Sequence, residues 1–99
     1  MSYSIIFHPK AKEEYIDGYV WYEKEQLGLG KRFETAVEQL LEQISLNPET
    51  YGYGKGIYRE AKTTNFPYTI VFKISSLKNT VYISAIYHTR RRPQKKYRK

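Results

Sequence analysis

Apolar side chains recur at helical steps from Pro9 to Pro48 and form short β-branched and aromatic runs on either side. That change of period limits the fold more than any other feature. Ala11, Tyr15, Tyr19 and Tyr22 follow at steps of four, four and three, with Ile16 and Val20 widening the stripe. Gly28-Leu29-Gly30 interrupts it, and Phe33, Val37, Leu40 and Ile44 then repeat at four, three and four until Asn47-Pro48. Two amphipathic helices joined this closely form a hairpin.

Tyr3 to Phe7 reads as a strand stopped by His8-Pro9, where proline suits a first helical turn. Residues 47 to 56, with Tyr51-Gly52-Tyr53-Gly54-Lys55-Gly56, read as a loop whose tyrosines can pack over the core. As a phosphate cradle this loop lacks the Gly-Lys-Ser/Thr ending that such sites use. Ile57 to Ala61, Phe66 to Ile74 and Lys78 to Tyr87 are strand-like, the last two joined by a turn at Ser75-Ser76-Leu77 and Lys78-Asn79. The expected fold class is α+β in the order β-α-α-β-β-β, a twisted antiparallel sheet resting on an N-terminal helical hairpin in one domain over 1–99.

Alternation assigns faces. Tyr68, Ile70, Phe72 and Ile74 share the expected core side, as do Val81, Ile83, Ala85 and Tyr87. Tyr82, Ser84, Ile86 and His88 then fall on the uncovered face. Ile57, Arg59 and Ala61 share one side of their strand and Tyr58 and Glu60 the other, with Arg59 assigned to the open face.

Charge is uneven. Of 17 Lys and Arg, seven (Arg90, Arg91, Arg92, Lys95, Lys96, Arg98, Lys99) lie in residues 88 to 99 without an acid, leaving ten cations against ten acids elsewhere. A balanced body with a concentrated basic end points to an acidic partner, nucleic acid or polypeptide; the plainer reading is a solvated tail. The candidate binding residues are Arg90, Arg92, Lys95, Lys96, Tyr97 and Arg98, Tyr97 because it is an aromatic among cations. No apolar run approaches the roughly 18 residues needed to span a bilayer, and no signal-peptide pattern opens the chain. Cysteine is absent. A cytoplasmic protein without membrane contact is expected.

Two histidines, no His-Glu-x-x-His spacing and no accompanying carboxylate cluster argue against a metal site, so no metal or cofactor is expected. His88, Arg91 and Pro93 stand in His-Thr-Arg-Arg-Arg-Pro, where the last strand gives way to the basic end. Histidine titrates near pH 6.5 and guanidinium groups grip phosphate bidentately. Arg59, His88 and Arg91, gathered at one edge of the open face, would suit metal-independent RNA cleavage. A satisfied strand-end histidine and an ordinary exposed strand arginine are the alternatives.

Pro9 after Phe7, the Gly break before Arg32-Phe33, the Asn47-Pro48 stop, Tyr58-Arg59, Phe66-Pro67-Tyr68, His88-x-x-Arg91-x-Pro93 and Tyr97 occur in an order that resembles the RelE/ParE toxin superfamily, the ParE-like branch most. The resemblance covers nearly the whole chain. It implies a growth-inhibiting toxin, bound in the cytoplasm by an antitoxin encoded beside it. RelE-like members cleave messenger RNA on the ribosome, while characterised ParE-like members inhibit DNA gyrase. Arg59 and His88 fall near positions that RelE-like nucleases use. Thr89 after His88, and the lack of an evident carboxylate base on the open face, favour the gyrase side. A non-toxic nucleic-acid- or protein-binding module of the same fold is the reading from another class.

Overall fold

The computed structural model describes residues 2–90 and 96–98. Strand β1 (Ser4–Phe7) leads into helix α1 (Pro9–Glu25), helix α2 (Leu29–Leu46), a short 3-10 turn (Pro48–Thr50) and strands β2 (Arg59–Lys62), β3 (Tyr68–Ser75) and β4 (Thr80–His88). The element order and the α+β class match the expectation.

Each helix end has a chemical cause. Pro9 occupies the first turn of α1, and His8 caps it by accepting a hydrogen bond from the Lys10 N–H at 3.0 Å. Gly28, at φ +88°, lies in the left-handed region that glycine adopts without strain, and so turns the chain directly into α2. The Glu23 carboxylate reaches across this turn and accepts from the N–H groups of Gly28 and Gly30, both at 3.0 Å. It satisfies donors that the start of α2 leaves orphaned.

Phe33, Val37, Leu40 and Ile44 are buried, as their spacing requires, and pack against Ile70, Phe72, Val81, Ile83 and Ile86 of the sheet. In α1 the buried line is Ala11, Gly18 and Tyr22, with Tyr15 and Tyr19 partly buried beside it. Ile16 and Val20 do not widen this stripe; they are 52% and 42% exposed. The small residue at Gly18 sets that line, because a Cβ there would stand 2.9 Å from the Phe33 ring. Phe33 in turn meets Tyr68 at 4.8 Å and Tyr22 at 5.2 Å between ring centroids. Aromatic pairs at such separations contribute about 1 kcal/mol each beyond their burial.

The strand order is β1-β4-β3-β2. The β2-β3-β4 meander is antiparallel as expected, but β1 runs parallel to β4, with Ile5 opposite Val81 and Phe7 opposite Ile83. The sheet is therefore mixed. The helical hairpin supplies the long crossover that a parallel pair needs.

The register contains one irregularity with large consequences. Phe72 pairs with Ile83 and Val71 with Ala85, so Ser84 is an extra residue in β4. A one-residue bulge exchanges the faces of all that follows. Beyond it Ile86 and His88, not Ala85 and Tyr87, share the helix-covered side with Ile70 and Tyr68. The loop also differs in part from expectation. Tyr51 packs edge-on against Phe72 at 5.9 Å, whereas Tyr53 is exposed.

Candidate functional site

Arg59 and His88, expected together on the open face, stand apart on the other one. Arg59 lies opposite Phe72, and Ala61, two residues on, joins the core, which fixes Arg59 on the helix side. Its guanidinium donates to the Tyr51 carbonyl at 2.6 Å and the Tyr53 hydroxyl at 2.7 Å, and more weakly to the Glu49 carbonyl at 3.3 Å. Arg59 thus clamps the 47–56 loop. His88 lies opposite Tyr68, its ring edge-on to that tyrosine at 5.4 Å and its Nδ1 accepting from the Arg90 N–H at 3.1 Å. Four residues of β3 and two strand spacings separate the two side chains, about 13 Å along and about 10 Å across. Arg91, Arg92 and Lys95 lie outside the described residues.

The open face carries a different set. Beside Val71 the sheet presents Glu60, where the sequence shows no evident carboxylate, and the segment Lys96–Arg98 lies across it. Tyr97 donates to Glu60 Oε2 at 2.6 Å, and Lys96 Nζ lies 3.8 Å from the same oxygen and 3.1 Å from the Tyr87 hydroxyl. The bond to Glu60, reinforced by burial, raises the Tyr97 hydroxyl above the ordinary tyrosine range. The bond to Tyr87, and then the charge of Glu60, raises Lys96. Both shifts lead away from neutrality, so neither group is tuned for proton exchange near neutral pH.

Arg98 anchors the segment. Its guanidinium grips both Glu14 oxygens at 3.0 Å and the Ser84 carbonyl at 3.0 Å, and its N–H makes a short bond to Ser84 Oγ. The Tyr58 hydroxyl donates to the Arg98 carbonyl, and Ser84 Oγ donates to the Lys96 carbonyl at 2.7 Å. Glu14 Oε1 also accepts from the Ile86 N–H at 3.0 Å. That donor lies past Phe7, where β1 no longer pairs with the edge of β4. Lys96, Tyr97 and Arg98 are therefore held parts of the sheet face and not a solvated tail. Neither Glu14 nor Ser84 stands out in the sequence; an acid on a charged helix and a serine in a strand give no sign that a bulge joins them.

Among the described residues no three His, Asp or Glu side chains gather as metal ligands, and no helix is long and apolar enough to cross a membrane.

The same architecture occurs in solved toxins. The isolated RelE toxin of E. coli superposes with a TM-score of 0.69 at 17% identity, covering 92% of this chain and 88% of that one. For the toxin–antitoxin complex RelBE2 of Mycobacterium tuberculosis the values are 0.67 and 15%, covering 89% and 99%. For the chromosomal ParDE toxin–antitoxin system of P. aeruginosa they are 0.65 and 17%, covering 88% and 96%. At these identities the likeness is one of fold. No curated protein sequence matches the chain. The family model for the ParE toxin of the type II toxin–antitoxin system parDE matches residues 5–93, and by that match the chain belongs to the ParE toxin family of type II toxin–antitoxin systems.

Proposed function

We propose that the chain arrests growth by binding its target rather than cutting it, that the target is DNA gyrase, and that an antitoxin encoded beside it holds it inactive. The separation of Arg59 from His88 carries this reading. A metal-free RNA cleavage needs an acid and a phosphate clamp on the same phosphodiester, within hydrogen-bond reach. Residues two strands apart and both on the helix side do not supply that pair. The Glu60-Tyr97-Lys96 group adds support, since its tyrosine and lysine shift away from the range useful for proton transfer. The RelBE2 and ParDE neighbours are toxin–antitoxin assemblies, which supports an antitoxin partner here.

Expression of the chain alone is expected to stop bacterial growth, and co-expression of the neighbouring antitoxin to restore it, with transcripts on translating ribosomes left intact. His88→Ala is expected to lower stability by about 1 kcal/mol through the lost contact with Tyr68, and to leave growth arrest per folded molecule unchanged. Normal growth at confirmed soluble expression contradicts the toxin reading. Cut transcripts, abolished in a folded His88→Ala protein, would instead establish a RelE-like ribonuclease.

A further inference from the structure

Ile6 of β1, Tyr82 of β4 and Lys73 of β3 stand opposite one another in register and form one row across the open face. The row forms part of a cleft of about 600 Å³, bordered also by Ile57, Lys78 and Arg98, toward the end of the sheet that carries the β3-β4 turn. Among the described residues no carboxylate lines it. Arg98 is matched by Glu14, but among the described residues neither Lys73 nor Lys78 has an acid within ion-pair distance. Ile6 and Ile57 are 49% and 65% exposed.

These features select a class of occupant. Lys73 Nζ lies 5.8 Å from the Tyr82 ring centroid and 5.9 Å from that of Tyr58, within cation–π range of both rings, so an incoming base would have to displace it in order to stack there. A phosphodiester backbone would satisfy the lysines and leave the isoleucines uncovered. A polypeptide presenting carboxylates beside apolar side chains uses both. Arg98 makes the cleft continuous with the Lys96–Arg98 segment, whose cations Glu60 and Glu14 match, so the charge offered to a partner here is that of Lys73 and Lys78.

We propose that this cleft is the surface with which the toxin grips gyrase, receiving a segment of the enzyme that carries acidic and apolar side chains together. The inference rests on gyrase being the target. The row Ile6-Tyr82-Lys73 supplies contact area and Lys73 with Lys78 the charge.

Titration of purified gyrase with the full chain tests it, comparing wild type with Lys73→Glu, Lys73→Gln and Ile6→Ser, and with Lys12→Glu on the exposed side of α1 as a charge-matched control. Thermal midpoint and antitoxin binding report folding for each variant. Lys73→Glu is expected to weaken gyrase binding by about tenfold or more. Lys73→Gln and Ile6→Ser are expected to weaken it less, and Lys12→Glu to leave it unchanged; the Lys73 effect should shrink as salt rises and the Ile6 effect should not. If wild type binds gyrase and the Lys73 and Ile6 variants bind as tightly, the cleft assignment is overturned while gyrase remains the target. If wild type does not bind gyrase, both are overturned. Variants that keep gyrase binding and lose the antitoxin would assign the cleft to the antitoxin and overturn the proposal.

Discussion

Deletion of Ser84 and Ala85 together is expected to unfold the domain, whereas Ser84→Gly is expected to cost only about 1–2 kcal/mol. Removing Ser84 alone turns the bulge into an unbroken ladder and leaves Ile86 opposite Ile70, but removing both residues that share Val71 moves every later residue of β4 to the opposite face. Ile86, now fully buried, would turn outward, losing about 2–3 kcal/mol of burial, and Tyr87 would be driven toward space shaped for isoleucine. The Ile86 N–H would leave Glu14, and the Lys96–Arg98 segment would lose its contacts with Ser84, each buried polar group left unpaired costing about 1–3 kcal/mol. Together these approach the roughly 5–15 kcal/mol that holds a typical domain folded. Ser84→Gly keeps the residue count, and with it the register, and gives up only the hydroxyl contacts. Thermal unfolding followed by circular dichroism separates the two variants. A double deletion that melts cooperatively at the wild-type midpoint would show that the bulge does not set the register.

Glu14→Ala is expected to lower stability by about 2–4 kcal/mol, unusually much for an acid on a charged helix. The Glu14–Arg98 pair is sheltered, with side chains 25% and 15% exposed, so its loss leaves a guanidinium without its partner and a strand-edge N–H without its acceptor. Surface pairs such as Lys10–Glu13 stand in contrast, at 3.7 Å and largely exposed, and contribute at most about 1 kcal/mol. Glu14→Gln keeps an acceptor for the Ile86 N–H and is expected to fall between wild type and Glu14→Ala. Urea midpoints for the three proteins measure this. A Glu14→Ala midpoint equal to wild type would show that the Lys96–Arg98 segment does not depend on this anchor.

The helices were legible because the packing that buries Phe33, Val37, Leu40 and Ile44 leaves a period in the sequence, and because Pro9, Gly28 and Pro48 mark boundaries with their own backbone chemistry. The width of the α1 stripe was not. Gly18 admits the Phe33 ring and draws the buried line through a residue without a side chain, which leaves Ile16 and Val20 outside. The direction of β1 was equally hidden, since alternation in a four-residue strand reads the same in either sense. Faces in β4 depended on an unbroken alternation that Ser84 interrupts, and a bulging serine carries no mark of its role. That one residue accounts for the misplacement of His88. The helix-side position of Arg59 is hidden for a different reason. Alternation ties its side to that of Ala61, but Ala61 is small enough that its burial against the core is not evident from its type. Lys96, Tyr97 and Arg98 were visible as a basic end, while their partners Glu60, Glu14 and Ser84 come from three separate elements that only the fold brings together.

Supercoiling of relaxed plasmid by purified gyrase, titrated with the purified toxin, tests the central claim most directly. The account predicts dose-dependent loss of supercoiling that is relieved by adding the antitoxin, in the same preparation that leaves ribosome-bound transcripts whole. Unimpaired supercoiling at a large excess of folded toxin, together with cleavage of those transcripts, would contradict it.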